Sequence, residues 1–372
     1  MTMSRSDTSP VARWWWTLDR ISLFCIAGLL TVGIFLAFAA SPAATGHAHA
    51  AGNFSYALKQ LAFSATAVVI LIAVSVLNSK QARIVAASVY ALALIGALLA
   101  LVAGADVNGA HRWLDFAGFK IEPSEFLKPG FAILAATFLA DKLKHGFAGE
   151  MWIAIFLAPA LLILLMQPDI GQTALLSMLC IAKLFFSGIS YILLAALGAA
   201  GLGLFGFAWL VHPHVRERVS EFLFSGGYQT GLALKAFRAG GITGVGPGAG
   251  TIKYRLPDAH TDFVFAVAGE EFGVLLCALI AILFGVLTVR LLLRSARARD
   301  PFIQLAGAGL AAVTGLQAFI NMGVALSILP AKGMTLPFIS YGGSSLFAVA
   351  LTMGFALGLT RHRPVTPEEL TL

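Results

Sequence analysis

The sequence predicts an all-α polytopic membrane protein of about ten transmembrane helices, and three observations lead there. Of its 372 residues, 59% are hydrophobic and only 12% charged, against about 25% charged in soluble domains. The apolar residues come in charge-poor blocks such as 21–40, 63–77 with its flanks, 84–103 and 264–287. Blocks of about 18–25 residues match the ~30 Å hydrocarbon core at ~1.5 Å rise per residue. Inside lipid every backbone polar group must be satisfied within its own segment, so such blocks are helices. A soluble enzyme, a disordered chain and a nucleic-acid binder are excluded.

The first span follows Arg5, Arg13 and Arg20 and precedes Ala39, Ala40 and Ala43, as a secretory leader would. Its apolar run of ~20 residues exceeds the 7–15 of a cleavable leader, and more spans follow, so it reads as a retained anchor. Trp14–Trp16 beside Arg20 suits the membrane interface. Spans are expected near 21–41, 56–78, 84–104, 124–141, 151–167, 170–187, 190–211, 263–289, 302–327 and 343–360. Gly354 and Gly358 in the last span form a small-xxx-small step for close helix packing. Cys25, Cys180 and Cys277 lie within spans and read as small buried apolar residues, with neither a disulfide framework nor a metal set.

An even number of spans puts both termini on one side. With that side cytoplasmic, the inner segments hold Arg5, Arg13, Arg20, Lys80, Arg83, Lys142, Lys144, Lys183, Arg290, Arg294, Arg297, Arg299, Arg361 and Arg363. The short outer connections hold Lys59, Arg112, Lys120, Lys128 and Lys332, so the positive-inside rule fixes the orientation. The expected organisation is a cytoplasmic tail 1–20, one transmembrane domain 21–361 and a cytoplasmic tail 362–372. One large extracytoplasmic loop, about 212–262, separates spans seven and eight and carries Arg216, Arg218, Lys235, Arg238, Lys253 and Arg255. Within it, Val215–Phe224 and Thr230–Ala239 have helical apolar spacing, with Gly240–Gly241 as a C-cap. The Gly-rich stretch Gly244–Gly250 lacks the flanking strand–helix unit of a nucleotide loop and reads as turns.

Charges at the mouths of spans are functional candidates by default. Asp262 stands where the outer loop enters the membrane, with Glu270 about 12 Å deeper on a helix; the plain alternative is that Thr261 or Asp262 caps that helix. Arg112, Trp113, Glu122, Glu125 and Lys128 form a second group, in which Glu125 and Lys128 share a helix face, either as a solvated pair or inside a polar cavity. Gln167–Gln172 reads as a tight turn in which Asp169 bonds its own backbone. The run Leu329–Ser345, rich in Pro, Gly and hydroxyls, is non-helical backbone at membrane depth and implies a cavity wall. His47 with His49 and His212 with His214 have no neighbouring ligands, so no metal is inferred from them.

The runs LPDAHTDFVFAVAGEEFG and LPAKGMTLPFISYGGSSL resemble signature segments of the SEDS family (shape, elongation, division and sporulation). NGAHRWLDFAGFKIEPSEFLK and QPDIGQTALL match two more of its blocks in the same order, and the resemblance covers Ile21 to Arg361. Gln229 after Gly-Tyr favours the division-type branch over the elongation-type branch. Departures are Glu122 where glutamine is common, Ala325 where a polar residue is common, and Lys183 in a usually apolar span.

The resemblance implies a peptidoglycan glycosyltransferase of the bacterial inner membrane, polymerising lipid II on its outer face at the division septum. It also implies a class B penicillin-binding transpeptidase and other divisome membrane proteins as partners, and a divalent cation (Mg or Mn) as an assistant. Such chemistry needs a base at the acceptor hydroxyl and positive charge at the leaving diphosphate. Asp262 is the candidate base, matching the family residue for residue. Arg216, Arg218 and Lys332 are candidates for the diphosphate and Lys128 for the neighbourhood of the base. Arg112, Trp113, Glu125, Gln229, His260, Thr261, Ser340, Tyr341 and Ser344 complete the expected substrate-binding set. The alternatives are a lipid II flippase, an elongation-type polymerase and a non-catalytic scaffold.

Overall fold

A computed structural model describes residues 9–44, 54–107, 110–116, 118–146, 148–211, 216, 227–330 and 333–361. The helices are α1 (Pro10–Thr17), α2 (Arg20–Ala44), α3 (Ser55–Ser75), α4 (Ser79–Ala103), α5 (Ser124–His145), α6 (Gly149–Met166), α7 (Ile170–Phe186), α8 (Tyr191–Val211), α9 (Tyr228–Gly240), α10 (Val264–Ala296), α11 (Pro301–Ala325) and α12 (Gly343–Thr360). Each of the ten expected spans is a helix, and seven of these are long and apolar enough to cross a membrane by length and composition. The protein is a multi-pass membrane protein.

Two segments depart from the expected loops and tail. Residues 105–121 form a small antiparallel sheet, β1 (Ala105–Val107), β2 (Ala110–Phe116) and β3 (Phe119–Ile121), in the order β1-β2-β3. β1 and β3, with three residues each, are too short for a period-2 pattern to show in sequence, and the seven residues of β2 do not alternate apolar with polar. The expected cytoplasmic tail contains α1, started by Pro10 at its first turn and by Ser9 Oγ accepting from Ala12 N at 3.2 Å. Trp14 Nε1 donates to Ser75 Oγ at 2.8 Å, and the Arg20 guanidinium lies over the Trp16 ring, so the Trp cluster is tied to the bundle.

Helices α3 and α12, α10 and α11, and α4 and α5 form the closest pairs, and α5 and α11 pack together at the centre. Gly354 and Gly358 make the α12–α3 seam, since a Cβ on either would come within 2.9 Å of α3 atoms around Val74 and Ser75. Lys183 is fully buried and donates from Nζ to Leu305 O at 2.6 Å, joining α7 to α11. At the end assigned to the cytoplasm, Asp19 receives Arg290 Nη2 at 2.9 Å and Arg294 Nη1 at 2.8 Å, tying the α1–α2 junction to α10. Helix α8 rests on α7 and presents Tyr191 and Ile192 outward. All three cysteines are free and buried.

In the long outer loop, α9 and the turns of Gly244–Gly250 form as expected, while the expected helix 215–224 lies outside the described residues apart from Arg216. A 3-10 turn, Ile252–Tyr254, then leads through successive turns to Phe263.

Candidate active site

Asp262 stands at the end of a turn wound around one carbonyl. The amides of Thr261, Asp262 and Phe263 donate to Asp258 O at 3.1, 3.0 and 3.2 Å, and Asp258 adopts φ +53°, a left-handed conformation that Asp tolerates better than most residues. The expected cap is corrected here. Helix α10 takes Phe263 as its N-cap with no side-chain capping bond, and the Thr261 hydroxyl donates back to Asp258 O at 3.3 Å. Among the described residues no hydrogen bond engages the Asp262 carboxyl, which leaves it available. Asn321 Nδ2 holds the Asp262 carbonyl at 2.8 Å and the Met334 carbonyl at 2.6 Å. A Cβ on Gly333 would lie 3.2 Å from Asp262 Oδ2, so the neighbouring loop runs against the carboxyl. Burial pushes the Asp262 pKa up to about 7; Asp258, Glu125 and Asp169 push the same way and Arg112 opposes them.

The two signature runs are stitched together. Ser340 Oγ donates to Thr261 O at 2.5 Å and accepts from Leu336 N at 2.7 Å, while Tyr341 N donates to His260 O at 3.0 Å. The His260 ring sits 5.0 Å from Tyr56 and 5.7 Å from Tyr341, and burial lowers its pKa. A cavity of about 300 Å³ is lined by the chain from Lys253 to His260.

A buried polar chain connects α5, α7 and α11. Lys128 Nζ donates to Glu125 Oε2 at 2.6 Å and Gln317 Oε1 at 2.9 Å, and Gln172 Nε2 donates to Glu125 Oε1 at 2.6 Å. Glu125 and Lys128 are only 2% and 3% exposed, which overturns the solvated-pair alternative and favours the enclosed one. Helix α5 turns that face inward because α11 and α7 cover it with Gln317 and Gln172. Gln317 Nε2 continues to Thr335 O at 3.0 Å, and Thr335 Oγ1 meets Ser345 Oγ at 2.5 Å. Glu122, just ahead of α5, has its pKa pushed up to about 8 by burial and by Glu125 and Asp169.

The other expected residues divide into those near this chain and those apart from it. Arg112, on β2, donates to Gln167 O at 3.2 Å and Pro168 O at 2.5 Å and faces Asp169 at 4.0 Å, so it braces the α6–α7 turn. Asp169 Oδ1 accepts from Gln172 N at 3.2 Å, as that turn was expected to show. Trp113 pairs with Ala105 across the sheet. Ser344 Oγ accepts from Glu122 N at 3.0 Å, linking α12 to the start of α5. Gln229 is in the first turn of α9, half-buried. Arg216 folds back over the Trp209 ring and donates to Leu210 O at 3.1 Å. Arg218 and Lys332 lie outside the described residues.

Asn321 and Gln317 escaped the sequence reading. The available signal was two amides four apart on one face of an otherwise apolar helix. Among the described residues no three His, Cys, Asp or Glu side chains converge as a ligand set for the divalent cation that the resemblance implies.

Residues 20–364 match the family described as "Cell cycle protein" (FtsW/RodA/SpoVE). The chain is 40% identical over 369 residues to the probable peptidoglycan glycosyltransferase FtsW of Caulobacter vibrioides, covering 97% of this chain and 94% of that one. It is 30% identical over 377 residues to stage V sporulation protein E of Bacillus subtilis, covering 97% and 99%. Among solved structures it resembles a chain of a peptidoglycan synthase complex studied for coordination of polymerization and crosslinking, with TM-score 0.76, 26% identity and coverage of 93% and 98%. The rod shape determining protein RodA of Thermus thermophilus shares the fold, with TM-score 0.69, 24% identity and coverage of 93% and 97%.

Proposed function

The chain belongs to the FtsW/RodA/SpoVE family of cell cycle proteins, and we propose that it is a division-type peptidoglycan glycosyltransferase of the inner membrane, polymerising lipid II at the septum beside a class B penicillin-binding transpeptidase and other divisome proteins. The observation that supports this most directly is the Asp262 carboxyl, half-buried, with its pKa about 7 and no competing hydrogen bond among the described residues.

Ionised Asp262 takes the proton of the acceptor sugar hydroxyl as that oxygen attacks the anomeric carbon. The bond from that carbon to the diphosphate oxygen breaks, and the diphosphate leaves with the electron pair on its lipid. Lys332 and Arg218, with Arg216, are the cations proposed to neutralise it. Gly333, the residue after Lys332, lies against the Asp262 carboxyl. No step is routed through a metal, because the described residues assemble no ligand set.

The test is incubation of detergent-purified protein with labelled lipid II, with and without the partner transpeptidase. Wild type is expected to produce glycan strands, and Asp262→Asn, still folded, to produce none. Undiminished polymerisation by the variant removes Asp262 from the chemistry. A flippase would give no chain growth in detergent, where there are no two sides to cross between.

A further inference from the structure

Helix α10 is broken ten residues after Phe263 by its own sequence. Gly273 adopts φ +74° and ψ −171°, so the amides of Val274 and Leu275 cannot reach the carbonyls of Glu270 and Glu271 as a continuous helix requires. The outer loop fills the break. Val274 N donates to Gly241 O at 3.0 Å and Leu275 N to Ile242 O at 3.3 Å, while Glu270 O accepts from Val245 N at 3.0 Å and Glu271 O from Gly246 N at 3.1 Å. All four of these main-chain groups are satisfied by residues 241–246. The fit is so close that a Cβ on Gly273 would lie 2.2 Å from Ile242 O, and one on Gly244 2.1 Å from Glu271 O.

The two acidic side chains beside the break continue the fastening. Glu270 Oε1 accepts from Thr251 N and Ile252 N, both at 2.7 Å, and Oε2 from Lys253 N at 3.0 Å. Glu271 accepts from Gly248 N at 3.0 Å and pairs with Lys253 Nζ, which also reaches Ala39 O on α2 at 2.7 Å. Glu270, Glu271 and Lys253 are at most 1% exposed. A carboxylate held by three consecutive amides fixes backbone, and the backbone it fixes is the start of the segment 253–262 that ends in Asp262. Asn321 and Ser340 hold the far end, at Asp262 O and Thr261 O.

We infer that Glu270 is a positioning residue for the glycosyl transfer proposed above, setting the place of Asp262 by anchoring the near end of its segment; this rests on that reading of the function. Gln at the same place keeps one carbonyl oxygen for Thr251 and Ile252 but turns an NH₂ toward Lys253 N, so two donors face each other and that backbone moves. Misplacement of a reacting group by about 1 Å costs on the order of 100-fold in rate.

Two measurements on the full-length protein in detergent test this. Polymerisation kinetics with lipid II are expected to show Glu270→Gln lowering kcat by about 10- to 100-fold while KM stays within about 2-fold. Limited trypsin digestion, followed by mass, is expected to cut after exposed Arg255 faster in Glu270→Gln, and faster still in Glu270→Ala, than in wild type. Unchanged cleavage at Arg255 overturns the inference, as does faster cleavage with kcat unchanged. A parallel fall in kcat, substrate binding and melting temperature also overturns it, as that marks a merely structural role. If wild type makes no polymer, the glycosyltransferase reading fails, and the positioning role with it, while the cleavage arm still reports whether Glu270 fastens the loop.

Discussion

With its pKa raised to about 7, the Asp262 carboxyl is mostly protonated at pH 6 and mostly ionised at pH 8. A base must be ionised, so the rate of strand synthesis is expected to climb as pH rises through about 7, in a pH profile of kcat/KM. The stability effect has the opposite sign. The folded pKa lies above the unfolded value of ~3.9, so ionising Asp262 costs the folded state stability as pH rises from about 4 through about 7. Asp262→Asn removes that cost and is expected to melt higher than wild type at pH 8, with the gap closing toward pH 4. The sequence made Asp262 legible because a charge at the mouth of an apolar span has few bland explanations. It did not show that neither Thr261 nor Asp262 caps the helix, since residue type allows both and only the turn around Asp258 O excludes them. The Glu125–Lys128 pair was visible as a spacing, but whether it was wet depended on Gln172 and Gln317, which arrive from other helices.

At the scale of elements, the spans were readable because lipid forces a helix on any long apolar run, whereas the short strands of 105–121 carry no comparable constraint. Sequence alone also missed the break in α10, because a single glycine in a long apolar helix is ordinary and only the loop's backbone explains Gly273. The small-residue step in α12 was read correctly as packing. Gly354→Val is therefore expected to destabilise the protein by about 1–3 kcal/mol in detergent unfolding, because even the Cβ would lie 2.8 Å from Val74 Cβ. Retention of wild-type stability would mean that α12 and α3 can separate freely.

Across the whole molecule, Asp19 joins the first helices to α10. Burial pulls its pKa up, but hydrogen bonds from Arg290 and Ser22 and the charge of Arg294 outweigh that and hold it at about 2. A depressed folded pKa contributes stability above the unfolded value of ~3.9 that is lost as pH falls toward about 2. Asp19→Asn is expected to unfold more easily at neutral pH, by about 1–2 kcal/mol because Arg290 is partly solvated and Arg294 keeps Thr360 O, and the deficit should shrink below pH 4 in denaturant titrations. The bias of basic residues carries the expected orientation, but does not reveal that one aspartate gathers two of them.

Helix α8 has a different standing. Among the described residues it packs chiefly on α7, and none of their heavy atoms from another segment comes within 4 Å of where a side chain would begin on Gly198, Gly201, Gly203 or Gly206. With so few of those contacts, the tilt of α8 is expected to respond to bilayer thickness more than that of the helices packed at the centre.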